Sequence, residues 1–181
     1  MPGPRSAQRA GSSARLTLSG TGDVNVVTGI SVLDHLISLL ARYASFDLAL
    51  EVAPAADQAE VAAAGHALGI ALAERLRTAH ARGFGSASLP AAEALAHVAL
   101  EISDAPQLVT NLDLSDERIG GVAGDVVGAF LHELAEAAGL TLHVRLIGGE
   151  DPQHVLDAIF KTLGVALAEA TRAPGREEGH G

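Results

Sequence analysis

The first part of the chain carries two apolar patterns, one with the period of a strand and one with the period of a helix. Residues 14–28 alternate between apolar and polar side chains, which predicts a β-hairpin. Its predicted turn residues are Gly20, Gly22 and Asp23. Apolar residues at helical spacing begin at Leu33, and Ser31 with Asp34 resembles a capping box. The chain is therefore expected to open with a hairpin and a helix.

The same two patterns recur along the rest of the chain. Residues 46–52 are typical of a strand, and Asp57 is a candidate N-cap for a helix with one apolar stripe. The stripe comprises Val61, Ala64, Leu68, Leu72 and Leu76. Further strands are predicted at residues 94–102, 107–114 and 140–147, and further helices at 125–137 and 151–171. Asp151 followed by Pro152 marks the start of the last helix.

The order of elements repeats, and so do the letters. Residues 67–74 (ALGIALAE) and 162–169 (TLGVALAE) share six identities in eight positions at an offset of 95. The strand before each helix also corresponds, residues 46–52 with 140–146. We therefore predict an α+β fold of two duplicated halves, each with the order strand, strand, helix, strand, helix, and each with a sheet covered by helices on one face.

The predicted halves are residues 15–90 and 91–172. Residues 1–14 and 173–181 are rich in Gly, Pro, Ser and charged side chains, which predicts flexible tails.

Composition narrows the class of protein. Twelve Lys and Arg against 22 Asp and Glu give a formal charge of -10, which opposes binding to nucleic acid. The chain has no cysteine, so a metal would be held by histidines and carboxylates. The uncharged stretch 61–73 is too short to span a bilayer, and the N-terminus does not resemble a signal peptide. We expect a cytoplasmic protein that contacts no membrane.

Candidate chemistry concentrates on the last predicted helix. His154, Asp157 and Lys161 follow one another at spacings of three and four residues, so their side chains lie in one line. This line is either a solvated polar face or a ligand-binding stripe, and the spacing alone leaves both open. His35 and His143 add a metal hypothesis if the fold gathers them. Glu93 and Arg82 are weaker candidates for ligand contact, and the remaining histidines are interpreted as structural or surface residues: His66, His80, His97 and His132, with His180 in the tail.

Three stretches carry a resemblance to a known family. They are TGISVLDHLISLLARYASFDL, ARGFGSASLPAAEAL and AGLTLHVRLIGGEDPQHVLDAIFKTLGVAL. In order and spacing they resemble imidazoleglycerol-phosphate dehydratase of histidine biosynthesis, over residues 16–172. The resemblance implies the duplicated α+β fold of the ribosomal protein S5 domain 2-like type and a homo-oligomer of trimers, up to 24 subunits, with active sites at the trimer interfaces. It also implies a hydro-lyase that removes water from imidazole glycerol phosphate with two metal ions, usually manganese.

The first metal-binding motif of that family, His-His-x-x-Glu-Asp, aligns with residues 58–63. Gln58, Ala59 and Ala62 stand where the family has its two histidines and its glutamate. Glutamine is a poor substitute for imidazole toward manganese, and alanine offers no donor atom.

The second motif, His-His-x-x-Glu, aligns with residues 153–157 and keeps His154 and a shortened carboxylate, Asp157. His35 and His143 stand at the two remaining ligand positions. The resemblance therefore implies one weakened metal site of His35, His154 and Asp157, while His143 alone is left at the other.

The residues implied for substrate binding and catalysis are also depleted. Lys161 aligns with the family's phosphate-contacting lysine, and Glu93 aligns with the glutamate of Pro-Met-Asp-Glu-Ala. The arginine expected before Phe84 is Gly83, with Arg82 displaced by one position. The expected function is a dehydratase homologue whose activity is lost or strongly reduced, with manganese at a weak or single site or absent. The alternatives are an active dehydratase with a rearranged metal site, a non-catalytic oligomer subunit, or a binding protein for a small phosphorylated imidazole.

Overall fold

The computed structural model describes residues 12–78, 80–113, 118–119 and 122–173. The predicted C-terminal tail beyond residue 173 and the first eleven residues of the predicted N-terminal tail lie outside these ranges. Ser13 and Ala14, which the predicted tail includes, belong to the first strand.

The strands are β1 (Ser13–Thr17), β2 (Val24–Val27), β3 (Asp47–Glu51), β4 (Phe84–Ala91), β5 (Ala94–Ile102), β6 (Gln107–Thr110), β7 (Arg118–Ile119), β8 (Val122–Ala123) and β9 (Leu140–Gly148). The helices are α1 (Ser31–Ala44), α2 (Asp57–Leu76), α3 (Gly124–Ala138) and α4 (Pro152–Thr171). Within the described ranges, no helix is both long and apolar enough to cross a membrane.

The first sheet has the strand order β1-β3-β2, so the hairpin predicted for residues 14–28 is wrong. β3 lies between the two strands, antiparallel to β1 and parallel to β2. The segment that joins β1 to β2 wraps the start of β3, since the amides of Gly22 and Asp23 donate to the Asp47 carboxylate over 2.9 and 2.8 Å. A glycine-rich segment of this kind has the composition of a hairpin turn, although here its partner is a third strand.

The second sheet has the order β4-β5-β9-β6. β5 runs antiparallel and β6 parallel to β9, which repeats the arrangement of β1 and β2 around β3. The predicted duplicated α+β fold is therefore confirmed. β4 is an additional edge strand that the sequence analysis did not predict. Residues 84–90, which the predicted boundary assigns to the first half, pair with β5 in the second sheet.

β7 and β8 form a separate antiparallel pair. The helices form the middle of the molecule, between the three-stranded and the four-stranded sheet. α1 packs against α4, and α2 packs against α3, so each half contributes one helix to each pair. A Cβ atom at Gly164 would lie 2.4 Å from the carbonyl oxygen of Leu40, and one at Gly69 would lie 2.6 Å from the Cβ of Ala137. The repeated Leu-Gly sequence therefore marks two points at which helices of different halves approach closely.

Two of the predicted helix starts differ from the structure. The capping box expected from Ser31 does not form, because Asp34 accepts hydrogen bonds from the amide and hydroxyl of Thr28 instead. α2 begins at Asp57, and its N-cap residue is Ala56, so the prediction of Asp57 as the cap is wrong. In both cases the helix starts at the predicted place through other contacts, since an amphipathic face buried against the core stabilises the helix without that cap.

Candidate functional site

The polar face of α4 lies beside the N-terminal part of α1. Nε2 of His35 is 2.9 Å from Oδ1 of Asp157, and the side-chain amide of Gln153 donates to the same oxygen over 2.9 Å. The His35 side chain is 53% exposed and the Asp157 side chain 24%. The fold therefore brings these two predicted metal-ligating residues into direct contact on one partly exposed surface.

The N-terminus of α4 is fixed to the turn between β4 and β5. Asp151 caps the helix as predicted, and its carboxylate accepts from the amides of Gln153 and His154. Glu93 lies in the β4–β5 turn, where one of its oxygens accepts from the amides of Asp151 (2.8 Å) and Glu150 (3.3 Å). Its other oxygen is 2.6 Å from Nδ1 of His154. Glu93 therefore links the turn to the first residues of α4 by three hydrogen bonds.

These bonds change the protonation of both partners. The backbone N–H of Asp151, then the N–H of Glu93 itself and the His154 ring lower the pKa of Glu93 from 4.5 to about 2. The carboxylate of Glu93, through its hydrogen bond, raises the pKa of His154 above 6.5. Each group stabilises the charged form of the other. The pair is a carboxylate–imidazolium ion pair between pH values of about 4.5 and 6.5.

Lys161, one turn after Asp157, extends to the end of β4. Its Nζ donates to the carbonyl oxygen of Pro90 over 2.7 Å and lies 5.0 Å from the centre of the Tyr43 ring. The ammonium group is thus shared between a backbone carbonyl and an aromatic face. The predicted phosphate contact therefore has two partners within its own chain.

Two other predicted site residues lie elsewhere. Arg82 pairs with Glu169 (2.9 Å) and stacks over the ring of Phe84 (4.2 Å). Glu169 is twelve residues after Asp157 on α4, which corresponds to about 18 Å along the helix axis. His143 is exposed on β9, on the face of the second sheet that points away from the helices. Neither residue lies at the surface formed by the polar face of α4 and the N-terminal part of α1, the α1–α4 surface.

The described residues of one chain do not by themselves make up a centre of two metal ions. Among the described residues, no three His, Asp or Glu side chains converge as a metal site would require. Asp157 bonds to His35, whereas His154 bonds to Glu93, so the predicted ligands of the weakened site belong to two different hydrogen-bonded pairs. At the aligned positions of α2, Ala59 has no donor atom.

Sequence reasoning missed several members of this surface. Tyr43 and the carbonyl of Pro90 were not predicted, although both hold Lys161. Gln153 was identified only as a replaced histidine, and its bond to Asp157 was not foreseen. A signal existed for Tyr43, which follows His35 by eight residues and so lies near the same face of α1. No comparable signal marks a backbone carbonyl.

Comparison with known proteins agrees with this fold. The family model for imidazoleglycerol-phosphate dehydratase matches residues 28–167. The imidazoleglycerol-phosphate dehydratase of Acetivibrio thermocellus is 35% identical over 171 residues, which cover 91% of this chain and 86% of that protein. The chloroplastic enzyme of Pisum sativum is 34% identical over 92% of this chain and 61% of its own length.

Solved structures agree as well. The imidazoleglycerol-phosphate dehydratase of Staphylococcus aureus superimposes with a TM-score of 0.82 at 29% identity, covering 89% of this chain and 93% of that chain. The structure from Pyrococcus furiosus, in complex with (S)-C348, gives a TM-score of 0.80 at 28% identity and covers 93% of both chains. The family model, the relatives and the shared fold agree over the same span, and the chain belongs to the imidazoleglycerol-phosphate dehydratase family.

Proposed function

We propose that this chain keeps the fold of the imidazoleglycerol-phosphate dehydratase family but has lost two-metal dehydration of imidazole glycerol phosphate, and that it acts as a non-catalytic subunit of a homo-oligomer built on trimers. The observation that carries the proposal is the difference between two equivalent helices. At the offset of 95 residues, the compared positions are Gln58, Ala59 and Ala62 on α2 and Gln153, His154 and Asp157 on α4. The α4 positions retain an imidazole and a carboxylate, and the α2 positions retain neither.

The remaining donors support the same conclusion. Asp157 accepts from the Gln153 amide and is bonded to His35, and His154 is bonded to Glu93. A metal ion would have to compete with these contacts. At a subunit interface, the α2 positions Gln58, Ala59 and Ala62 of a neighbouring copy would add no imidazole or carboxylate. A bound metal supplies several kcal/mol of charge stabilisation as a Lewis acid, and about 1.4 kcal/mol corresponds to a tenfold change in rate. Loss of one ion therefore lowers the rate by orders of magnitude.

The substrate contacts support the proposal further. Lys161 is bonded to the Pro90 carbonyl, and Arg82 is paired with Glu169 some distance along α4. An anionic substrate would compete with both of these contacts. Recognition of a small phosphorylated imidazole at this surface is therefore weaker than in a chain whose basic side chains are free.

The test is growth of a histidine auxotroph that lacks its own dehydratase. We expect no growth with this chain and normal growth with the Acetivibrio thermocellus enzyme as positive control. The same purified protein is analysed by mass spectrometry for bound manganese and by mass photometry for oligomer size. We expect fewer than two metal ions per chain and a multiple of three subunits. Growth at the rate of the positive control, or two metal ions per chain, would mean that the chain is an active dehydratase with a rearranged site.

A variant in which the motif residues are restored tests whether the missing ligands, and no other defect, explain a low metal content. The substitutions return the aligned motif residues: Gln58→His, Ala59→His, Ala62→Glu, Gln153→His and Asp157→Glu. We expect this variant to bind more manganese than the parent chain. The matched control carries Gln107→His, at an exposed position on β6 outside both motifs, and is expected to gain no metal. Equal metal content in the parent and the restored variant would contradict the proposal.

A further inference from the structure

The outer face of the first sheet carries polar side chains on both sides of an alanine. Leu48 and Leu50 of β3 are buried, so the side chain of Ala49 between them points away from the helices. Ala49 is directly opposite Arg15 on β1 and Asn25 on β2. Neighbouring strands are about 4.8 Å apart, so Arg15 and Asn25 flank the alanine on either side. The small side chain of Ala49 therefore leaves open space between two larger polar ones.

A depression of about 280 Å³ lies over this row of three residues. Its lining also includes Thr17, Asp23 and Asp47. Thr17 is opposite Asp47, and the carbonyl oxygen of Asp23 accepts from the amide of Leu48 over 2.9 Å, so Asp23 lies on the other side of β3. These three residues form a second row, about 7 Å from the first along the strands, because residues two apart on a strand are separated by that distance.

The carboxylate of Asp47 is held in place by the segment between β1 and β2. Its Oδ1 accepts from the amides of Gly22 and Asp23. Gly20 packs against the same group, since a Cβ at Gly20 would lie 2.3 Å from Cγ of Asp47. Within the described residues, Oδ2 of Asp47 has no hydrogen-bond partner. Asp47 therefore offers the depression a free acceptor atom on a side chain of fixed position.

Charges of opposite sign line the depression without pairing. Arg15 is exposed, and it forms no ion pair or hydrogen bond with any other residue in the part of the chain that the structure describes. A simple anion in the depression would be repelled by Asp23 and Asp47, and a simple cation would be repelled by Arg15. The lining therefore favours a ligand that carries one negative and one positive group.

We propose that this depression binds a free α-amino acid as the zwitterion, with the carboxylate between Arg15 and Asn25 and the ammonium group at Asp23 and Asp47. A guanidinium can donate to both oxygens of a carboxylate, and an ammonium group has three N–H donors for carboxylate oxygens. The side-chain amide of Asn25 supplies a further donor to the ligand carboxylate.

The spacing of the two rows fits the two charged groups of an α-amino acid. Its ammonium nitrogen and its carboxylate carbon are about 2.5 Å apart, because one Cα joins them. With a hydrogen bond of about 2.9 Å at each end, the protein groups that bind them are about 8 Å apart. This distance is close to the separation of about 7 Å between the rows.

The site is independent of the proposed loss of dehydratase activity. It lies on the side of the first sheet that faces away from the helices, whereas the α1–α4 surface is formed by helices. None of its six residues stands at a position that the family resemblance assigns to metal or substrate binding. Failure of one proposal would therefore leave the other unaffected.

The test is titration of the full chain with L-alanine, followed by saturation-transfer difference NMR. Acetate and methylamine serve as the two halves of the ligand, each with one of its charges. We expect saturable binding of L-alanine, at least about tenfold tighter than binding of acetate or methylamine. Glycylglycine separates the same two charges by one more residue, about 3.6 Å, and is expected to bind more weakly than L-alanine.

Single substitutions assign each charge to its place. Arg15→Gln is expected to weaken binding of L-alanine about tenfold without weakening that of methylamine. Asp23→Asn is expected to weaken binding of L-alanine and of methylamine without weakening that of acetate. Arg145→Gln, at an exposed arginine on the outer face of the second sheet, is the matched control and should leave the affinity for L-alanine unchanged. Arg15, Asp23 and Arg145 are exposed, so each variant is expected to fold, which thermal unfolding checks.

Three results would overturn the proposal. The first is no saturable binding of L-alanine up to about 50 mM. The second is acetate or methylamine binding as tightly as L-alanine, which would mean that the depression selects a single charge. The third is equal affinity of the parent chain and Arg15→Gln for L-alanine, or an equal loss in Arg15→Gln and Arg145→Gln, which would place the ligand elsewhere.

Discussion

Glu93 is an exposed residue in a turn, yet it carries hydrogen bonds to two backbone amides and one imidazole. These bonds favour the ionised carboxylate, so the contribution of Glu93 to stability is present above its ordinary pKa of 4.5 and is lost as the pH falls toward about 2. The raised pKa of His154 acts in the other direction. Its contribution is complete below 6.5 and is lost as the pH rises through the folded-state pKa.

We therefore expect Glu93→Gln to lower the melting temperature more at about pH 5.5 than at about pH 9. At the lower pH the substitution removes an ion pair with protonated His154, and at the higher pH it removes only hydrogen bonds to a neutral ring. Thermal unfolding followed by circular dichroism measures the difference. Glu51→Gln, an exposed glutamate on β3, is the matched control and should show no such pH dependence. An equal loss at both pH values would show that the positive charge of His154 contributes nothing to the stability.

The contacts of the candidate site illustrate what a sequence can predict at the scale of single residues. The spacing of His154, Asp157 and Lys161 places them in one line, because helical geometry is local. Their partners are far along the chain: His35 is 122 residues from Asp157, and Glu93 is 61 residues from His154. No local rule connects such residues. Only the resemblance to a family suggested that they belong to one site.

Helices from different halves of the fold meet at two glycines, and substitution of either glycine should lower the stability of the protein. A Cβ at Gly164 or Gly69 would collide with the partner helix, at 2.4 Å from the Leu40 oxygen and 2.6 Å from the Ala137 Cβ. We expect Gly164→Ala and Gly69→Ala to lower the free energy of unfolding by about 1–3 kcal/mol each, because the helices must move apart. Urea denaturation measures this change.

Gly128 on α3 is the matched control for that experiment. In the described part of the chain, no atom outside the surrounding turns of α3 lies within 4 Å of the Cβ position at Gly128. Gly128→Ala should therefore raise the free energy of unfolding by about 0.5–1 kcal/mol, through the higher helix propensity of alanine. If all three substitutions change the stability equally, the close approach of the helices does not govern their effect.

At the scale of strands and helices, some features of the fold were predicted from the sequence and others were not. The longer strands and helices of the second half were predicted within a few residues, because hydrophobic periodicity is a local property. The strand predicted for residues 107–114 ends at Thr110, and the two-residue strands β7 and β8 were not predicted. Strand pairing was not. β3 separates β1 from β2, and the glycine-rich segment between them gives no sign of it. β4 was missed because its sequence, FGSASLPA, has few large apolar residues and includes a proline, which an edge strand tolerates.

The molecule as a whole has one core to which both halves contribute. Buried residues from both sheets and from all four helices belong to a single apolar cluster. We therefore expect the two halves of the chain to unfold together in one calorimetric transition. A fragment of residues 12–81, which contains only the first half, should lack stable helix by circular dichroism, because α1 and α2 lose their partners. Two separate transitions, or a folded fragment, would contradict a shared core.

The pairing of α1 with α4 and of α2 with α3 also bears on how such a chain arises. A gene that encoded one half alone would have made a protein with an exposed apolar layer of two helices. A second copy could cover that layer with the same pairing of helices. Fusion of two such genes would preserve every contact of that ancestral dimer while freeing the copies to diverge. The alanines of α2, at the positions equivalent to the polar residues of α4, are then the record of unequal divergence between two once identical partners.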